Sequence, residues 1–123
     1  MKLKKIIKYY EKKYKIKIGF EIVNDFCLSQ YYPDIRNIGQ GDILISKEHI
    51  KNIDFKNRIK TKKLQDKIIF TLLHEIGHCL QYKEYGVDFI DTYNIQSRLE
   101  HNIRGYEIQA DRFARQELKK WIK

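Results

Sequence analysis

The stretch from Thr71 to Tyr82, TLLHEIGHCLQY, sets two histidines, His74 and His78, four residues apart inside an apolar run. Working outward, Leu64, Ile68, Ile69, Leu72, Leu73, Ile76 and Leu80 recur at helical spacing. That pattern predicts one long helix over about 61–85, stopped by Gly86. Positions four apart lie on one helix face, so both imidazoles address a single point in space. Two imidazoles so placed suit a zinc ion, which takes nitrogen ligands at about 2.0–2.1 Å. Glu75 lies about 100° round the helix from His74, too far aside for an equal ligand. It can still reach a water at the ion, which is where a general base belongs. A pair of hydrogen-bonded core histidines is the plainer reading, but it leaves Gly77 unexplained. Glycine in a helix interior costs about 1 kcal/mol relative to alanine, so its presence suggests that something passes close by.

Catalytic zinc sites typically hold three protein ligands and keep one position open. Downstream, GYEIQADRFARQEL at 105–118 falls in a second periodic stretch, predicting a helix over roughly 97–122. Glu107 and Asp111 are four apart there, with Ala110 and Ala114 small enough for two backbones to approach. Glu107 is the expected third ligand. Asp111 is placed to accept a hydrogen bond from the far ring nitrogen of a ligating histidine, with His74 the expected one, fixing its tautomer. His101 is the rival third ligand, on a different helical face. A donor to the oxyanion of a hydrolytic step would come from Tyr106, His101 or Tyr93. His49 precedes the long helix without partner spacing and is expected at the surface.

The rest of the chain is shorter in range. Residues 1–17 read as a basic amphipathic helix, with Leu3, Ile6, Ile7, Tyr10 and Tyr14 on one side. KIKIGFEIV at 15–23 alternates as a half-buried strand, and 24–41 reads as loop with a short strand around 35–38. GDILIS at 41–46 is a second strand, and Ser46 caps a helical turn after it. GVDFIDTYN at 86–94 reads as a connection. Helix, strands, then two long helices make an α+β domain, and 123 residues fit a single one.

Composition excludes several classes. With 42% hydrophobic residues, the chain can fill a core. It has no run near the roughly 18 apolar residues of a spanning helix, and lysines interrupt any secretory h-region. A cytoplasmic protein without membrane contact is therefore expected. Cys27 and Cys79 form neither a disulfide framework nor a CxxC pair, so buried or free thiols are expected. The net charge of +9 is concentrated: residues 1–17 hold eight lysines and one glutamate, and the remainder seventeen basic against fifteen acidic residues. A solvated lysine face is the simpler reading of that helix, and contact with nucleic acid the less expected one.

HEIGH at 74–78 followed by YEIQADRFAR at 106–115 resembles the gluzincin metallopeptidases, most closely the short ImmA/IrrE-type proteins. The resemblance covers roughly Gly41 to Leu118. It implies one zinc ion per chain held by His74, His78 and Glu107, with Glu75 as catalytic base. It further implies a zincin-like fold: a small twisted, mostly antiparallel sheet packed on the two site helices. Its rim strand, here Asp42, Ile43, Leu44, Ile45 and Ser46, would pair with an extended protein substrate, for instance a repressor of a phage or mobile element. Two alternatives stand beside it: an SprT-like peptidase with His101 as third ligand, and a non-catalytic zinc module that contacts DNA or protein. In that last case a cysteine would complete a closed site.

Overall fold

The computed structural model describes residues 2–25, 27–55, 58–96 and 105–122. Among them run helix α1 (Leu3–Tyr14), strands β1 (Lys17–Val23), β2 (Gln30–Pro33) and β3 (Gln40–Ser46), and helices α2 (Lys47–Asn52), α3 (Leu64–Tyr85), α4 (Val87–Gln96) and α5 (Gly105–Leu118). The architecture is α+β, with five helices and a small mixed sheet. No helix among these residues is long and apolar enough to cross a membrane.

The sheet differs from the mostly antiparallel expectation. Its order is β1-β3-β2; β1 pairs parallel with β3 over seven residues, and β2 pairs antiparallel with β3. The chain crosses from β1 to the far side of the sheet, forms β2, and returns between the two through a tight turn. Asp34 organises that turn: its carboxylate accepts from Arg36 N and Asn37 Nδ2, and its own N–H donates to Gln40 O. The strand expected around 35–38 is therefore a turn, with Ile35 and Ile38 exposed, and Gln30–Pro33 forms a strand instead of loop.

The rim-strand expectation for Asp42 to Ser46 is also overturned. β3 is the central strand, with β1 along one side and β2 along the other from Gly41 to Leu44. Past the end of β2, Ser29 takes over: its Oγ accepts from Ser46 N at 2.9 Å. Backbone paired on both sides has no amides left for a further strand. Ile43 and Ile45 instead point into the core, beneath α3.

The helices follow their patterns with shifted ends. Ser46 caps α2 by accepting from His49 N. α3 begins at Leu64 rather than 61, because Thr61 turns back to bond Asp66 and the 63 amide. Gly86 ends it with φ +60°, a conformation that favours glycine, and its N–H closes on Tyr82 O. The predicted connection after it is α4, whose Phe89 is fully buried. Phe89 and Tyr93, four apart, stack at 5.0 Å, a pairing that gives this short helix its inner face. α1 ends at Tyr14, earlier than 17, with Lys15 in the left-handed region. The first part of the predicted 97–122 helix, including His101, lies outside the described residues.

Candidate metal centre

The middle of α3 is buried on every side, all twelve residues from Ile68 to Cys79, so polar groups there need partners. His74 and His78 project from one face, with Nε2 atoms 3.1 Å apart and rings near perpendicular. α5 crosses α3 at Gly77, where a Cβ would stand only 3.3 Å from Ala110 Cα. A residue without a side chain lets the helices approach this closely unhindered. The crossing carries Glu107 to the imidazoles: Oε1 is 2.6 Å from His78 Nε2 and Oε2 is 3.3 Å from His74 Nε2.

These three side chains could hold a metal ion; their ligand atoms all lie within 4.8 Å of one another. Tetrahedral bonds of about 2.0–2.1 Å set ligand atoms about 3.3 Å apart. The 3.1 Å between the two Nε2 atoms already matches. Glu107 meets each ring with a different oxygen, Oε1 at 2.6 Å from His78 and Oε2 at 3.3 Å from His74, so its carboxylate has to turn for one oxygen to sit at bonding distance of an ion shared with both rings. Cys79 does not join the group, because its thiol points to Gly39 O at 3.5 Å.

The two imidazoles are backed differently. His74 Nδ1 lies 2.6 Å from Asp111 Oδ1. Arg58 grips that carboxylate with both arms of its guanidinium, Nε to Oδ2 and Nη2 to Oδ1, each at 2.9 Å. The guanidinium in turn packs over the rings of Phe55 and Phe70, 5.3 Å from each. His78 Nδ1 meets Gln81 Oε1 at 2.7 Å. The Gln81 amide is oriented by donating to Tyr106 O and Gln109 Oε1, so its oxygen must accept and His78 Nδ1 must donate. Each ring thereby offers Nε2 to the centre.

Glu75 is buried beside these three side chains, Oε2 4.0 Å from His74 Nε2, while Oε1 accepts from Tyr31 N at 2.9 Å. The edge of β2 thus looks onto this carboxylate. Burial raises the Glu75 pKa, and the nearby His74 and His78 only partly offset it. For Glu107, burial also acts upward, but hydrogen bonds to both imidazoles win and hold it well below the usual carboxylate range. Asp111 is likewise held low, its burial outweighed by His74 and Arg58. Burial works against charge on His74, yet Asp111 and Glu107 push its pKa up to about 10. Neighbouring carboxylates with pKa values driven apart are the usual sign of divided roles.

Of the donors named from sequence, Tyr93 stands beside the site, its ring 4.9 Å from that of His78. Tyr106 packs instead on Phe89 and Tyr85. His49 is half-buried rather than exposed; its Nδ1 accepts from Ser29 N at 3.1 Å. Asp42 to Ser46 contribute nothing to the cluster. Arg58, Gln81 and the Tyr31 amide were not legible as site groups. Gln81 had a usable signal, being three residues after His78 on the same helix; Arg58, in a non-helical segment, had none. Comparison with known proteins finds no matching family model, no similar curated protein and no similar solved structure.

Proposed function

We propose that the chain is a zinc-dependent peptidase of the gluzincin kind, as the resemblance of its two motifs implies. The single observation that carries this reading is the meeting of His74, His78 and Glu107 from two helices, with the Glu75 carboxylate buried beside them. When bound, a zinc ion supplies a Lewis acid that polarises a carbonyl and lowers the pKa of water toward 7. His74, His78 and Glu107 would hold it. Glu75, with its raised pKa, takes a proton from the attacking water as the carbon–oxygen bond forms. It then passes that proton to the leaving nitrogen as the carbon–nitrogen bond breaks. Tyr93, whose ring lies 4.9 Å from that of His78, is assigned the stabilisation of the oxyanion.

A second reading is favoured by one observation: the Tyr31 amide already occupies Glu75, and both histidines are buried. Here the ion would serve structure rather than catalysis. Metal analysis followed by hydrolysis of an unstructured protein substrate separates the two. Glu75→Gln should keep the metal and lose at least about two orders of magnitude in rate. A Glu75→Gln variant that cleaves as well as the wild type rules out the base assignment, and a loaded wild type that cleaves nothing supports the structural role.

A further inference from the structure

We propose that the exposed face of α1, extended by the C-terminal lysines, docks on the phosphodiester backbone of duplex DNA without reading its sequence. Lys4, Lys5, Lys8 and Lys12 are all exposed and fall within about 100° of helical arc. Lys4, Lys8 and Lys12 repel one another at successive four-residue spacings, an arrangement that weakens a helix unless an anion relieves it. Among the described residues none of the four is in an ion pair. The one acid of α1, Glu11, is spent elsewhere, accepting from Ile18 N at 2.9 Å.

The tertiary structure enlarges this face beyond what the N-terminal sequence contains. Trp121 lies edge-on to Tyr9, with ring centres 5.4 Å apart, and donates to Tyr10 OH. Lys2 Nζ donates to Trp121 O. Exposed Lys119 and Lys120 are thereby brought alongside α1, although Lys120 also pairs with Glu117. Tyr9, 39% exposed, sits among them with the ammonium groups of Lys13 and Lys120 at 5.7 Å and 5.5 Å.

The same geometry selects among polyanions. Leu3, Ile6, Ile7 and Tyr10 are buried in the core, so α1 has no apolar face to insert into a lipid surface. A single strand is held by stacking successive bases on aromatic rings, and among the described residues this face offers one exposed ring, Tyr9, with Trp121 half-buried and edge-on beside it. A straight row of unpaired ammonium groups suits the regular phosphates of a duplex.

The test is fluorescence anisotropy of a labelled duplex of mixed sequence, about two helical turns long, titrated with the full chain from about 50 to 300 mM salt. Four engaged lysines predict a log–log salt slope of roughly −3 to −4. Lys4→Gln/Lys8→Gln/Lys12→Gln should weaken binding at about 100 mM salt by about 10-fold or more and flatten the slope by about two or more. Lys62→Gln/Lys63→Gln, changing exposed lysines elsewhere, should leave both unchanged. Unchanged circular dichroism establishes that the variants fold. The proposal is overturned by no binding at about 50 mM salt or by equal loss in both variants. Tighter binding to phosphatidylserine vesicles than to duplex also overturns it. None of these readouts depends on peptidase activity.

Discussion

His74 Nδ1 and Asp111 Oδ1 are 2.6 Å apart, on different helices and 37 residues apart in sequence. The contact points the opposite ring nitrogen at His78 and Glu107. It also ties the candidate metal centre to Arg58, which bonds Asp111 from outside.

Removing Arg58 should therefore be felt at the metal. Arg58→Ala leaves a buried carboxylate with one partner fewer, and Asp111 can drift from His74. Groups that orient metal ligands typically matter about 10- to 100-fold in affinity. We expect a loss of about 10-fold for Arg58→Ala, with partial recovery in Arg58→Lys, which supplies charge without the fork. Competition with a chromogenic chelator measures it, and an affinity equal to wild type would make the Arg58 contact incidental.

Glu107→Ala should lower metal affinity by at least about 10-fold, the least expected for a direct ligand when outer groups already reach that. His101→Ala should not. The reverse pattern would transfer the third ligand to His101.

Gly77→Ala probes the helix crossing. The new methyl meets Ala110 Cα at 3.3 Å and Phe113 Cδ2 at the same distance. Alanine gains about 1 kcal/mol of helix propensity, which offsets the crowding, so net stability should move by less than about 1 kcal/mol. Metal affinity should fall nonetheless, because α5 must shift and takes Glu107 with it. Chelator competition beside thermal unfolding separates the two effects; unchanged metal affinity would show that the crossing tolerates the methyl.

Metal binding should strengthen with pH. In the metal-free protein His74 titrates at about 10, above its ordinary value near 6.5. Its contribution to stability is then full below about 6.5 and lost as pH rises through about 10. Glu107 and Asp111 are depressed, so theirs is present above about pH 4.5 and lost as pH falls. His74, Glu107 and Asp111 together should thus stabilise the metal-free fold most between about pH 5 and 6.5, as read by thermal unfolding in chelator, while the raised pKa of Glu75 works against stability as pH climbs from about 4.5. A metal ion displaces the His74 proton, so affinity should climb by up to about tenfold per pH unit between about 7 and 9. A flat profile would mean that His74 is already neutral.

Much of the fold is legible in the sequence. The apolar stripe of α3, its stop at Gly86 and the Ser46 cap are local signals, set by neighbours within one or two turns. The two histidines share a face for the same reason. Gly77 marks a point of close approach on its helix-breaking character alone, and Ala110 is what approaches it.

The sheet was not legible in this way. Alternation marks GDILIS as a strand with Ile43 and Ile45 inward, but no alternation says which strand lies in the middle. That choice depends on where the 24–29 segment carries the chain, and it changes Asp42 to Ser46 from an open rim to a fully paired centre. α4 was hidden because its inner face rests on only a few residues and it follows directly on the glycine that ends α3.

Sequence alone determined the parts that short-range geometry fixes: the helices other than α4, their buried faces, and two imidazoles one turn apart beside a carboxylate. Only the tertiary structure decided how those parts meet. It set Glu107 against both rings, placed Arg58 behind Asp111, turned β2 rather than β3 toward Glu75, and brought Lys119 and Lys120 beside α1. These contacts join residues tens of positions apart. They form because burying apolar surface draws the elements together, and no periodicity along the chain records which side chains then come into reach.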